Sequence, residues 1–195
     1  AAGLADNLRD FLWANLTSAE KNYFMKPHIA PLTQLCSTGT ICLSTTDQDS
    51  ADEESLLNFL RGDRTNEGPA STTSKFFRLR SSVLGDIVNS EAVYVKKSPW
   101  NYSDHGYSAF KSTNLTRSGM VYVGANDGML HAFNASTGVE SWAYVPSFLF
   151  PTLYQLADKN YGNQHRFFVD GSPSMGEICV ENCAPGDTGT VWKTI

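Results

Sequence analysis

The most regular pattern in the chain is three short segments of alternating residues separated by turn sequences. Residues 120–125 and 129–134 flank the Asn-Asp-Gly sequence at 126–128, which favours a tight turn with a positive φ angle. A Ser-Thr-Gly turn at 136–138 follows, and residues 139–145 supply a third strand. The pattern predicts an antiparallel meander that is largely apolar on both faces. A β-propeller blade, covered by a neighbour on each face, meets that demand.

Two helices are predicted before the meander. Apolar residues recur at helical spacing over residues 4–23, and this amphipathic helix is expected to end before Pro27. The second helix is predicted to begin at Ser50, where Ser50 and Glu53 match a capping box. Gly62 lies where a left-handed residue commonly ends a helix.

Composition divides the chain of 195 residues into three parts. Residues 1–62 are predicted to be a helical N-terminal segment with a cysteine loop, and residues 63–79, rich in Gly, Pro, Ser and Thr, a linker. Residues 80–195 are predicted to be the first blade and the start of the second blade of an incomplete β-propeller. The predicted fold class is mainly β, with antiparallel four-stranded blades and a quinoprotein-like repeat preceded by short α-helices.

A weak internal repeat accompanies the meander. Residues 84–90 and 169–173 are similar, and each is interpreted as the opening strand of a blade. Their wide spacing assigns residues 99–116 and 148–165 to insertions in loops, with helix expected only in the second. Because ring closure needs about four or more blades, the chain is expected to be a fragment.

The four cysteines form two close pairs, Cys36 with Cys42 and Cys179 with Cys183. The alternative to disulfides is a zinc site, but neither pair has Cys-x-x-Cys spacing or a nearby histidine. Two disulfides are therefore predicted, which indicates an oxidising compartment. Because each enclosed loop is short, the bonds are expected to stiffen loops rather than hold the fold.

Charge and hydropathy argue against nucleic-acid binding and against a membrane-spanning helix. The formal net charge is -5, and no basic stripe interleaved with aromatic residues offers a nucleic-acid surface. No apolar run approaches the ~20 residues that a transmembrane helix needs. A secretion signal is expected to lie outside the segment or to have been removed.

Several ordered motifs carry a family resemblance. They are Phe-Leu-Arg-Gly-Asp-Arg-Thr-Asn-Glu-Gly at 59–68, residues 80–90, residues 121–134, Ala-Tyr-Val-Pro-Ser at 143–147 and Phe-Val-Asp-Gly-Ser-Pro at 168–173. Together they resemble the start of the C-terminal propeller of the PilC/PilY family of type IV pilus assembly and tip-associated adhesin proteins.

This resemblance implies a secreted, non-enzymatic factor at the bacterial outer membrane, cell surface or pilus tip. It implies roles in pilus extension and in surface or host-cell attachment, with pilin or minor pilins as partners. It also implies calcium in a later part of the propeller, and no cofactor in this segment.

Arg61-Gly62-Asp63 is the tripeptide that integrins recognise, so a host-cell integrin is a candidate partner. The same residues also suit an ordinary helix ending, since Arg61 complements the negative helix terminus and Gly62 can turn the chain. The sequence keeps both interpretations open, with the helix ending as the main reason for these residues.

Other polar residues are given structural interpretations. The acidic residues between Asp47 and Glu54 are expected to form a solvated helix start, because Ala51 and Asp52 occupy the positions where a calcium loop needs a ligand and glycine. His131 is interpreted as a packing residue on a strand. No catalytic residue is assigned, because no nucleophile motif surrounds a serine. No metal ligand is assigned, because the four histidines are far apart in the sequence and show no ligand pairing.

Two other functions compete. Glycines between residues 124 and 138, followed by Trp142, also match the repeat of quinoprotein dehydrogenases that hold pyrroloquinoline quinone. An outer-membrane assembly scaffold built from such repeats is the third possibility. The repeat solves turn and packing problems, so it does not by itself bring cofactor chemistry.

Overall fold

The computed structural model describes residues 8–195. Its helices are α1 (Ser18–Lys21), α2 (Lys26–Ile29), α3 (Thr45–Gln48), α4 (Glu53–Leu60), α5 (Tyr107–Thr113) and α6 (Phe150–Leu153). Its strands are β1 (Glu67–Gly68), β2 (Phe77–Arg78), β3 (Val93–Val95), β4 (Met120–Ala125), β5 (Met129–Asn134), β6 (Glu140–Tyr144), β7 (Glu177–Glu181) and β8 (Val191–Thr194). Because short helices and 3-10 turns occupy more residues than strands, the mainly β prediction applies to the sheet region alone.

The predicted meander is confirmed as part of a four-stranded antiparallel sheet with the order β3-β4-β5-β6. Met120 pairs with Asn134, and Ala125 with Met129, so β4 and β5 are in register along their full length. Both predicted turns contain left-handed glycines, with φ of 90° at Gly128 and 71° at Gly138. The turn at residues 126–128 therefore fixes the register of β4 against β5.

The fourth strand lies outside the stretch that the sequence suggested. Residues 84–90 and 169–173, predicted to be opening strands, are not strands, and β3 fills that place beside β4. The two stretches instead contact each other: the main-chain N–H of Asn89 donates to Asp170 Oδ1 at 3.1 Å. The hydrogen bonds between the two stretches end on the Asp170 side chain, so the stretches form a paired loop instead of a sheet ladder.

The first predicted helix is wrong over the part that the structure describes. Leu12 and Leu16 have extended backbone angles, and the segment contains only 3-10 turns at Trp13–Asn15 and Asn22–Phe24 and the short helix α1. A capping box between Thr17 and Glu20 marks the start of α1, so α1 does not continue a helix from the residues before it. Pro27 lies inside α2, at a helix start where its missing N–H costs nothing. Residues 4–7 of the predicted helix lie outside the described residues.

The second predicted helix is confirmed in α4, but its start is wrong. The helix begins at Glu53 after Asp52, and no side chain caps it. Ser50 Oγ donates to the carbonyl of Thr46 at 3.0 Å, so its hydroxyl belongs to the preceding turn. Competition from this local bond removes Ser50 from the capping position.

The core joins segments far apart in sequence. Its largest fully buried side chains include Phe24, Phe59, Phe77 and Leu153. The complete buried cluster is Leu16, Phe24, Ile29, Leu32, Leu43, Ala51, Leu56, Leu57, Phe59, Leu60, Phe77, Phe150, Leu153, Leu156, Ala157 and Tyr161. The N-terminal helices thus pack on the insertion at residues 148–165.

The segment at residues 63–79 is packed, which contradicts its interpretation as a flexible connector. Phe77 is 1% exposed and packs on Phe59 with ring centroids 4.9 Å apart. β1 and β2 pair in parallel and close the segment into a loop. The three domain boundaries drawn from composition stay a prediction.

Two further expectations have clear outcomes. The disulfides Cys36–Cys42 and Cys179–Cys183 are confirmed, with Cα atoms 5.2 and 6.0 Å apart. The insertion at residues 99–116 was expected to lack helix and contains α5, whose Tyr107 ring packs against Trp192 at 4.9 Å. Between residues 8 and 195, no helix has the length and apolar character needed to cross a bilayer.

Candidate functional site

The Arg61-Gly62-Asp63 turn ends α4 in a Schellman motif. The N–H of Gly62 donates to the carbonyl of Phe59 at 3.0 Å, and the N–H of Asp63 donates to that of Asn58 at 2.9 Å. Gly62 has φ of 111°, which a residue with a Cβ atom adopts only under strain. The helix-ending interpretation of this tripeptide therefore matches its backbone geometry.

The two charged side chains of the turn face solvent. Asp63 Oδ1 accepts a hydrogen bond from the N–H of Thr65 at 2.8 Å, and hydrogen bonding with Thr65 lowers the pKa of Asp63. The Arg61 guanidinium contacts Asn58 Oδ1 at 3.4 Å. The carboxylate is thus ionised, accessible and held in one orientation by its own turn.

A buried ion pair supports the turn from below. Arg80 Nε donates to Glu67 Oε1 at 2.7 Å, and the Arg80 and Glu67 side chains are only 6% and 2% exposed. Arg80 Nη2 also donates to the carbonyl of Asp63 at 3.0 Å. Its guanidinium lies 3.9 Å from the centroid of the Phe59 ring. One arginine thus ties the turn to both the helix and the loop that follows.

A cleft of about 860 Å³ opens between one face of the four-stranded sheet and the N-terminal segment. Met129, His131 and Phe133 line it from the sheet, while Arg61 lines it from the end of α4. Both aromatic and charged side chains line the cleft. Arg61 of the candidate integrin tripeptide thus lines the same cleft as a polar cluster that was not predicted from the sequence.

That cluster consists of Asp127, His131 and Glu140. His131 is 5% exposed, and its Nδ1 lies 2.5 Å from Glu140 Oε1. On the other side of the ring, Nε2 lies 3.1 Å from each carboxylate oxygen of Asp127. The packing role assigned to His131 is therefore incomplete: the ring is buried and stacks on Phe133, and it is also the centre of an ionic cluster.

An irregularity in strand pairing brings Glu140 to His131. Phe133 pairs with Glu140 and Ala132 with Trp142, so the strand β6 holds one extra residue at this point. Without it, Glu140 and Trp142 would share a face because side chains alternate along a strand. The bulge turns Glu140 towards the face of His131.

Electrostatics in the cluster favour a charged ring. Burial opposes ionisation, but the hydrogen bonds and charges of Asp127 and Glu140 outweigh it and raise the pKa of His131 above the ordinary 6.5. The carboxylates occupy opposite ring nitrogens, a poor arrangement for chelation. Within residues 8–195, no three His, Cys, Asp or Glu side chains are placed to hold a metal ion.

Three of the acidic residues near the start of α4 bind protein groups. Asp47 accepts from Ser44, Asp49 pairs with the Lys26 ammonium, and Asp52 Oδ2 accepts from the Lys26 N–H at 3.0 Å. The disulfides lie on other elements, beside α3 and at the end of β7.

A second, apolar groove of about 330 Å³ lies on the opposite face of the sheet. Tyr122, Leu130 and Trp142 line it from the sheet, and Met175 and Ile195 line it from the segment containing β7 and β8. Trp142 remains 46% exposed. Both faces of this sheet thus carry apolar surface that the described residues cover only in part.

The chain matches the family described as the PilY1 β-propeller domain over residues 84–185. This span includes the meander, the Asp127–His131–Glu140 cluster and the Cys179–Cys183 disulfide, and it leaves the Arg61-Gly62-Asp63 turn outside.

Curated relatives point the same way. A type IV pilus biogenesis factor PilY1 homolog of Xylella fastidiosa is 40% identical over 146 residues, 71% of this chain and 11% of the relative. Type IV pilus biogenesis factor PilY1 of Pseudomonas aeruginosa strain PAK is 43% identical over 145 residues, 70% of this chain and 11% of that protein. This chain thus spans about a tenth of the length of these relatives. No solved structure shows a significant match.

Proposed function

This chain belongs to the PilY1 β-propeller family, and we propose that it forms the first blade of a propeller in a secreted, non-enzymatic type IV pilus biogenesis factor. The observation that carries the proposal is the family match over residues 84–185, which contains the whole four-stranded antiparallel sheet. Four antiparallel strands are the content of one propeller blade. The partly open grooves on both faces favour coverage by neighbouring blades.

The proposed location is the bacterial cell surface, at the outer membrane or the pilus tip, with pilin or minor pilins as partners. Two disulfides in a chain without free cysteines among its described residues suit an oxidising compartment. Calcium, if the family role requires it, is assigned to another part of the propeller.

Deleting the codons for residues 84–185 from the full-length gene tests this function. The amount of pilin sheared from the cell surface is expected to fall to that of a strain lacking the whole gene. The same fall in a retraction-deficient strain is expected if pilus extension needs the blade. Gly171→Ala is the matched control, because a Cβ atom there meets nothing within 4 Å. Normal surface pili without residues 84–185 would overturn the proposal.

The quinoprotein-like repeat is proposed to be a scaffold feature. Gly124 allows the backbone of Val169 to approach, since a Cβ atom would lie 2.7 Å from the Val169 carbonyl oxygen. Packing thus accounts for this glycine without a cofactor. Quinone absorbance in the purified full-length protein would contradict the non-enzymatic part of the proposal.

Adhesion through a host-cell integrin is the second proposed role, favoured by the exposed and ordered carboxylate of Asp63. Surface plasmon resonance on purified integrin should show binding that Asp63→Glu weakens, because the longer side chain moves the carboxylate away from a receptor metal. Glu181→Gln, at an exposed position on β7, is the control. Equal or absent binding for the parent and Asp63→Glu would end the adhesive proposal.

A further inference from the structure

Both nitrogens of the buried His131 ring face carboxylate oxygens, and this arrangement constrains its protonation. The partners are Glu140 Oε1 at Nδ1 and the two oxygens of Asp127 at Nε2. An ionised carboxylate only accepts hydrogen bonds, and a neutral imidazole has only one N–H. A neutral ring would therefore direct a lone pair at one of the two carboxylates.

The cluster also joins three parts of the chain. Asp127 lies in the turn between β4 and β5, and Glu140 begins β6. Asp127 Oδ2 accepts a hydrogen bond from the N–H of Gly85 at 2.7 Å, which adds the paired loop at residues 84–90. β6 is the last strand in the sheet order, so on its free side no strand of the described chain secures it.

We propose that the Asp127–His131–Glu140 cluster is a proton-dependent clamp that holds the edge strand β6 to the turn at residues 126–128, and that alkaline pH releases it. The imidazolium donates to both carboxylates at once and neutralises part of their charge. Loss of its proton leaves two carboxylates sharing one N–H. Glu140, whose side chain is 46% exposed against 12% for Asp127, is the partner that can turn to water.

Other charges near the cleft do not replace the imidazolium. Arg61 lines the cleft but contacts Asn58, and Arg9 pairs with Glu20 on the opposite wall. Phe133 stacks beside the His131 ring with centroids 5.9 Å apart and adds no charge. Among the described residues, Asp127 and Glu140 are therefore the ionised partners that set the charge of this ring.

The pH dependence has a definite sign. Because the folded pKa of His131 lies above 6.5, the clamp is complete below pH 6.5 and is lost as pH rises through the folded value. Between those two values, the local opening equilibrium of β6 should increase with pH, by up to about tenfold per pH unit.

Two NMR measurements on the purified chain test the clamp. Long-range 1H–15N spectra should show two protonated nitrogens on His131 at neutral pH and a titration midpoint above 6.5. Amide hydrogen exchange should show the rate in β6 rising with pH relative to the rate in β4, by up to about tenfold per pH unit, until that midpoint is reached. Hydroxide accelerates exchange at every amide, and this effect cancels in the ratio of the β6 rate to the β4 rate.

Variants separate the clamp from general packing. Glu140→Gln should move the His131 midpoint towards 6.5 and flatten the pH dependence of the β6 to β4 exchange ratio, whereas Glu181→Gln should leave both unchanged. A parent His131 with one protonated nitrogen at neutral pH, or a constant exchange ratio from pH 6 to 10, would overturn the proposal. The parent measurements decide the matter even if Glu140→Gln does not fold.

Discussion

Replacing Glu67 with alanine removes the carboxylate partner of a buried guanidinium, and the structure sets the scale of the effect. Arg80 contacts Glu67 Oε1 through Nη2 at 2.6 Å and Nε at 2.7 Å, with both side chains almost fully buried. The Arg80 N–H also donates to Glu67 Oε2 at 3.1 Å. Truncating one member of a buried pair leaves an uncompensated charge, which costs about 3–5 kcal/mol of unfolding free energy.

Urea unfolding of the purified chain, followed by circular dichroism, measures this loss. The matched control is Asp49→Ala, which breaks the exposed pair with Lys26 and should cost under ~1 kcal/mol. The double variant Glu67→Met with Arg80→Met should recover most of the stability, because it buries no charge. A loss for Glu67→Ala as small as that for Asp49→Ala would refute the view that residues 63–79 are part of the core.

Two further predictions concern close packing and the disulfides. Gly85→Ala should lower the unfolding free energy by ~1–3 kcal/mol, since its Cβ atom would lie 2.3 Å from the Asp127 nitrogen; Gly171→Ala should stay within ~0.5 kcal/mol of the parent in the same urea titration, and equal values would contradict the close approach. Reducing both disulfides should cost about 2 kcal/mol each at most, because the loops are short; complete unfolding on reduction, seen by circular dichroism, would show instead that they hold the fold.

The meander could be predicted because its signals are local. The glycines at 128 and 138 demand left-handed backbone, and alternation between them sets the strand period. The same locality explains α4 and its ending at Gly62. Cysteine spacing was likewise enough to predict both disulfides.

The errors arose where distant contacts override local pattern. Helical spacing over residues 4–23 marked the buried Leu16 and the partly buried Phe11 and Tyr23, but the chain places them through separate short turns, one of which starts at the Thr17 cap. Residues 63–79 look like a linker by composition, and their packing is seen only in three-dimensional contacts, the burial of Phe77 against Phe59 and the pairing of Glu67 with Arg80.

The Asp127–His131–Glu140 cluster combines a contact that the sequence could predict with one that it could not. Asp127 and His131 are four residues apart across a predicted turn, so their proximity was available from the sequence. Glu140 joins them only because of the strand bulge, and no sequence signal marks that bulge. The charged role of His131 was therefore missed.

Electron cryomicroscopy of the full-length protein tests the central claim, that this chain supplies a propeller blade, most directly. The account predicts that β3 to β6 form one four-stranded sheet in a ring, with a neighbouring sheet over the groove beside Trp142 and another over the cleft beside His131. A sheet with either face open to solvent, or one that pairs with a single sheet in a sandwich, would contradict it.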